Sequence, residues 1–147
     1  MKKFQVTKGV YPTMITPYRE GKIDEGAVRE LVRFYWKSGC HGIFAACQSS
    51  EIAFLSIEER VLLVRLVVDE AKALAKSDKS REPLMIVASG HVSDSLDDQA
   101  DELCRIAAEG PDALILISNR LDIADTSDEA WIADAERLIS KLPPDMP

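Results

Sequence analysis

Gly42-Ile43-Phe44-Ala45-Ala46-Cys47-Gln48-Ser49-Ser50-Glu51 is the stretch whose reading decides the fold. Apolar and small residues run without alternation and stop abruptly at a polar group. A strand that is apolar on both faces is one covered on both sides, as in a parallel sheet packed with helices. The flanks agree. Upstream, Asp24 is placed to cap a helix in which Val28, Leu31, Val32 and Tyr35 recur at helical spacing, and Gly39 ends it. Downstream, Ser56-Ile57-Glu58-Glu59 is a capping box, and Val61, Val64, Val68 and Ala71 line one face behind it.

The same strand-then-helix order recurs on either side. Val10 to Thr16 is an earlier apolar run, followed by the turn Arg19-Glu20-Gly21-Lys22. After the charged, solvated connection Lys76 to Glu82 comes Leu84 to Ala88. A helix opened by Asp94 or Ser95 follows, with Leu96, Ala100, Leu103 and Ala107 inward and Gly110 as its stop. Ala113 to Ile117 is the last strand. Thr126-Ser127-Asp128-Glu129 then opens a helix bearing Trp131, Ala135, Leu138 and Leu142. Four such units fit an open doubly wound sheet or half of an eight-stranded (β/α) barrel. Pro143-Pro144-Asp145-Met146-Pro147 reads as a helix-to-strand connection, so the chain is expected to stop just before a fifth strand.

The 147 residues are 46 % apolar and 29 % charged, the balance of a folded domain. Lys and Arg total 18 against 25 Asp and Glu, a net charge of −7. Neither nucleic acid nor an anionic membrane is the expected partner, because both need a basic face. No apolar run reaches the ~20 residues of a membrane span. Met1-Lys2-Lys3-Phe4-Gln5-Val6 lacks the apolar core of a secretory signal, so a cytoplasmic location is expected. Cys40, Cys47 and Cys104 are odd in number without a close pair, as in a reducing compartment. His41 and His91 form no tight cluster with them, so no metal is expected.

Ligands of both architectures bind at the carboxyl ends of the strands. The residues there are Thr16-Pro17-Tyr18, Gln48 to Glu51, Ser89-Gly90-His91 and Ser118-Asn119-Arg120. The second set either holds a carboxylate or phosphate through hydroxyls and turn N–H groups or simply caps the next helix. Glu51 reads as a structural hydrogen-bond acceptor. His91 is a general acid–base or, preferably, a solvated loop histidine. Arg120 is either a bidentate partner for an anion or a surface arginine. Cys47 reads as a small buried hydrophobe. The glycine patterns that bind nucleotide phosphates are absent.

Tyr11-Pro12-Thr13-Met14-Ile15-Thr16-Pro17-Tyr18, with Asp24 behind it, resembles the start of the dihydrodipicolinate synthase/N-acetylneuraminate lyase family. So do Gly39-Cys40-His41-Gly42-Ile43-Phe44 leading to Glu51, then Phe54 to Arg60, then Val87-Ala88-Ser89-Gly90, in order and at matching spacings. The resemblance implies an α/β fold in which residues 1–147 form four βα units of a (β/α)8 TIM barrel, a half-barrel. It also implies a class I pyruvate aldolase or lyase that forms or cleaves a bond next to pyruvate or a related 2-oxo acid. A lysine forms a Schiff base with that acid, and a tyrosine shuttles the proton. A protonated C=N accepts carbanion electrons far better than a ketone does.

In the family, the loop after the second strand reads Gly, two hydroxyl residues, Gly, Glu, and binds the substrate carboxylate. Here it reads Cys47-Gln48-Ser49-Ser50-Glu51, so one hydroxyl is replaced and both glycines are lost. By resemblance Ser49 binds the carboxylate, Ser50 and Gln48 assist, and Thr13 faces the pocket floor. Arg120 stands where the lysine-pathway enzyme has a tyrosine. That points to a sister lyase whose 2-oxo acid carries an extra polar or anionic group. No cofactor is implied, and a homo-oligomer is. The family's tyrosine and lysine sit on the fifth and sixth strands, which would follow Pro147. The nine lysines present, from Lys2 to Lys141, fall before the first strand, on loops or on helix surfaces. The piece alone is therefore expected to be inactive. The alternatives are a non-catalytic half-barrel that associates with itself or a partner through unpaired strand edges, and an open-sheet anion-binding protein.

Overall fold

The computed structural model describes residues 8–147; Met1 to Thr7, with the basic pair Lys2-Lys3, lie outside the described residues. The elements are β1 (Tyr18–Arg19), β2 (Lys22–Ile23), α1 (Glu25–Lys37), β3 (Gly42–Ala45), α2 (Ile57–Ser77), β4 (Met85–Ala88), α3 (Leu96–Ala107), β5 (Ala113–Leu114) and α4 (Asp128–Ile139). β3, β4 and β5 form a parallel sheet in chain order. The helices pack in sequence, α1 on α2, α2 on α3 and α3 on α4.

Local chemistry sets the boundaries. Asp24 accepts the Ala27 N–H at 3.0 Å and starts α1. Gly39 leaves it at φ +78°, a left-handed turn that glycine adopts without steric cost. The capping box closes at the start of α2, with Ser56 N donating to Glu59 and Glu59 N to Ser56. Ser95, not Asp94, caps α3, and Ser127 caps α4.

The expected first strand is present but barely regular. Phe44 N donates to Pro12 O and Met14 N to Phe44 O, each at 3.0 Å, so Thr13 pairs with Phe44 in parallel. Gly42 N reaches back to Val10 O at 3.3 Å. The returning rung of that ladder would come from the nitrogen of Pro12, which carries no hydrogen. The turn at Arg19 to Lys22 is instead the tip of a small antiparallel hairpin, β1 with β2. The last strand is shorter than expected, although Ile115 N still bonds Ala88 O at 2.8 Å. Past α4 the connection reaches β5, where Leu114 N donates to Pro147 O at 2.9 Å.

The two faces of the sheet differ, contrary to the expectation of burial on both. Ile43, Ala45, Ile86 and Ala88 face the helices and form the core with Met14, Val28, Val32, Leu63, Val64 and Val67. The alternate residues Phe44, Met85 and Val87 are only half-buried. They lie on the face away from the helices, because successive strand residues point to opposite sides. A smaller cluster of Leu103, Leu121 and Leu138 joins α3 to α4. Trp131 of α4 is 39 % exposed; its indole N–H donates to Ser118 O at 2.9 Å.

Gly42 is required by a close approach. A Cβ there would lie 2.3 Å from both Met85 O and the Tyr11 ring. That ring crosses the strand, and its hydroxyl donates to Met85 Sδ at 3.3 Å. No helix among the described residues is long and apolar enough to cross a membrane.

Candidate active site

A cavity of about 530 Å³ opens at the carboxyl ends of the strands. Thr13 from the first strand, Gln48 and Ser49 after β3, Ser89 after β4, and Ser118 and Asn119 after β5 line it. Three of the five residues expected to bind substrate, Thr13, Gln48 and Ser49, thus meet at one place. All three are exposed, and their side chains make no hydrogen bond among the described residues.

The other two are engaged elsewhere. Ser50 is fully buried; its hydroxyl donates to Met14 O at 2.5 Å and accepts from Cys47 N at 3.2 Å. Its carbonyl accepts from Thr16 Oγ1 at 2.7 Å. Ser50 therefore ties the loop to the first strand, which is what a residue standing in place of a glycine does here. Arg120 lies off the cavity wall, where its guanidinium pairs with Asp94 at 3.1 Å. Cys47 is buried, with its thiol against Met14 O and the Ser50 hydroxyl. Ala46 at φ +48° and Glu51 at φ +59° are non-glycine residues in left-handed backbone on either side of the loop, the kind of strain that collects at binding sites. Glu51 is exposed and accepts no side-chain bond among the described residues, so the acceptor role expected of it is not formed.

His91 is not solvated, as expected from its loop position, but fully buried. Its Nε2 accepts the Ile117 N–H at 2.7 Å, which leaves Nδ1 protonated to donate to Gln99 Oε1 at 2.9 Å. Gln99 in turn donates to Arg120 O at 2.9 Å. The pair therefore clamps both ends of Ile117 to Arg120, the segment that carries Ser118 and Asn119. Burial pushes the His91 pKa down, aided by the charges of Arg120 and Arg60 and opposed by the Gln99 bond and Glu102. The imidazole is neutral and acts as a strut.

Beneath it lies a buried ion pair, Arg60–Glu102 at 3.0 Å. Arg60 also donates to Gly90 O. Glu102 accepts from Val92 N, Ser93 N and Ser93 Oγ. Burial raises the Glu102 carboxyl, but these donors and Arg60 together hold it below its ordinary value.

A second cavity, about 440 Å³, lies at the opposite ends of the strands between His41, Arg81, Met85 and Asp112. Its polar groups serve the fold. Arg81 stacks on Trp36 at 4.5 Å and donates to Trp36 O and Cys40 O. Asp112 accepts Ile86 N at 2.7 Å, and His41 accepts Val10 N at 3.1 Å. The amino-end face of such a sheet carries stability, not chemistry. Among the described residues no group of His, Cys, Asp and Glu side chains is arranged to hold a metal ion. Ser89, Ser118 and Asn119 were legible only by their place directly after a strand.

Comparison with known proteins bears on the family and the fold. Residues 6–76 match the model of the dihydrodipicolinate synthetase family. A 4-hydroxy-tetrahydrodipicolinate synthase of Phenylobacterium zucineum is 31 % identical over 111 residues, 76 % of this chain and 34 % of the relative. That of Nitrobacter hamburgensis is 29 % identical over the same length, again 34 % of the relative. The chain therefore spans about a third of these relatives. Among solved structures, dihydrodipicolinate synthase from Aquifex aeolicus superposes with a TM-score of 0.77 at 17 % identity, covering 96 % of this chain and 43 % of that one. A prophage protein of the family from E. coli K12, in complex with pyruvate, gives 0.75 at 18 % identity, covering 95 % and 44 %. The described architecture is that of the N-terminal part of their TIM barrel, an α/β fold with a parallel sheet and four helices. Motifs, fold and relatives converge: over residues 6–76 the chain matches the dihydrodipicolinate synthetase family, and its fold is that of the N-terminal part of solved dihydrodipicolinate synthases.

Proposed function

We propose that this chain supplies the carboxylate-binding side of a Schiff-base aldolase or lyase acting on pyruvate or a related 2-oxo acid. The observation that carries this is the free set of hydrogen-bonding side chains, Thr13, Gln48 and Ser49, gathered at one strand-end cavity. Ser49 and Gln48 donate to the substrate carboxylate, and Thr13 sits on the floor beneath. The imine lysine and proton-transferring tyrosine come from residues beyond 147. In support, the described lysines are all exposed, and neither they nor Tyr11, Tyr18 and Tyr35 line the cavity. Ser50 holds the loop in place and Arg120 is a loop brace.

Calorimetric titration of pyruvate, with borohydride reduction and peptide mapping, tests this. Ser49→Ala should weaken pyruvate binding about tenfold, the worth of one hydrogen bond to a charged group, with no fall in Tm. No lysine of this chain should be labelled specifically. Unchanged affinity in Ser49→Ala, or specific trapping at one lysine, would overturn the proposal.

A second reading is association between copies of this chain. It is favoured by Ile15 and Ile115, which are 59 % and 38 % exposed on the sheet face away from the helices. Sedimentation velocity separates the two: a monomer at all concentrations excludes it.

A further inference from the structure

We propose that Ser89 is a specificity-determining residue, its hydroxyl taking an uncharged hydrogen-bonding group on the far part of the ligand and disfavouring a second carboxylate. This rests on the 2-oxo acid reading of the same cavity and specifies what the rest of the substrate offers. Ser89 is fully buried, and its Oγ has no hydrogen-bond partner among the described residues. The other buried polar side chains there, such as Ser50, Arg60, His91, Gln99 and Glu102, are all bonded. A hydroxyl desolvated without a partner destabilises a fold, so one held at a cavity wall calls for a ligand atom.

The backbone aims it there. Met85, Val87 and Ser89 alternate on the sheet face away from the helices, and Ser89 N continues the pairing with Ala45 O at 3.4 Å. Ser89 lines the cavity together with Ser49 on one side and Ser118 and Asn119 on the other. Those last two are held by the His91–Gln99 clamp, so the wall is preformed.

The chemistry of the wall selects the group. A serine hydroxyl both donates and accepts, which suits a ligand hydroxyl or carbonyl. No cationic side chain lines the cavity among the described residues, and Arg120 is occupied by Asp94. One carboxylate is served at the exposed Gln48–Ser49 loop, where several donors and water reach it. A second carboxylate against buried Ser89 would be desolvated against a single neutral donor. This replaces the anionic group inferred from Arg120.

The test is calorimetric titration of the 147-residue chain with pyruvate, 4-hydroxy-2-oxobutanoate and 2-oxoglutarate. The wild-type chain should bind the hydroxylated acid about tenfold more tightly than the dicarboxylate. Ser89→Ala should lose about that factor for the hydroxylated acid, with less than a twofold change for pyruvate. Its Tm should not fall, since the hydroxyl contributes no bond to the fold. An equal loss for pyruvate and the hydroxylated acid, no loss for either, or a clear drop in Tm overturns the proposal. The two levels separate cleanly. If pyruvate binds and Ser49→Ala weakens it while Ser89→Ala leaves the preference intact, only the role of Ser89 fails. If pyruvate does not bind, the 2-oxo acid reading fails and this inference with it.

Discussion

Replacing His91 separates its role as a neutral strut from that of a loop histidine. Its two bonds hold Ile117 N–H and Gln99 Oε1 in a site closed to water. His91→Leu keeps most of the volume but leaves both partners unpaired. Each buried unpaired group costs about 1–3 kcal/mol, so the loss should be about 2–6 kcal/mol. His91→Gln offers an amide oxygen in place of Nε2 and should lose about half as much. The pH dependence gives a sharper test. The folded pKa is depressed by burial, whereas the unfolded imidazole titrates near ~6.5. Below that pH the unfolded chain takes up a proton that the folded chain refuses, so stability is present above ~6.5 and falls as pH drops toward the folded value. The slope reaches about 1.4 kcal/mol per pH unit for one group. Urea unfolding of wild type and His91→Gln between pH 5 and 7 measures it. The wild-type curve should fall relative to the variant on acidification; parallel curves would refute the strut.

Other outcomes follow from the same packing. Arg60→Leu leaves the Glu102 carboxylate buried without its cation, and urea unfolding should show a loss of about 3–5 kcal/mol. Gly42→Ala places a methyl 2.3 Å from Met85 O and the Tyr11 ring; the strand must shift, and thermal unfolding should register a loss of about 3 kcal/mol or more, or soluble expression should fail.

Helix boundaries were largely written in local chemistry. Asp24, Ser56, Ser95 and Ser127 cap where short polar side chains precede helical periodicity. The strand cores at Gly42 and Met85 were visible as apolar runs for the same reason. The hairpin at Tyr18 to Ile23 was not, because two-residue strands leave no periodic trace. Pro12 thinned the first strand through one missing N–H, an effect legible only once its partner is known. In the site, Ser49 and Gln48 could be read from their place after a strand. Ser50 looked identical to Ser49 in sequence, yet it faces the core and bonds Met14 O. His91 looked like a loop residue because its partners, Gln99 and Ile117, come from α3 and from the segment after β5. Tertiary neighbours decide such roles, and local pattern does not carry them.

The most direct test is an amide chemical-shift map of the isotopically labelled chain titrated with pyruvate. The expected result is a saturable set of shifts confined to the strand carboxyl ends, at Thr13, Gln48, Ser49 and their neighbours, and abolished at Ser49 by Ser49→Ala. Shifts centred on the opposite cavity at His41 and Arg81, or none at millimolar pyruvate, would contradict a 2-oxo acid site in this half of the barrel.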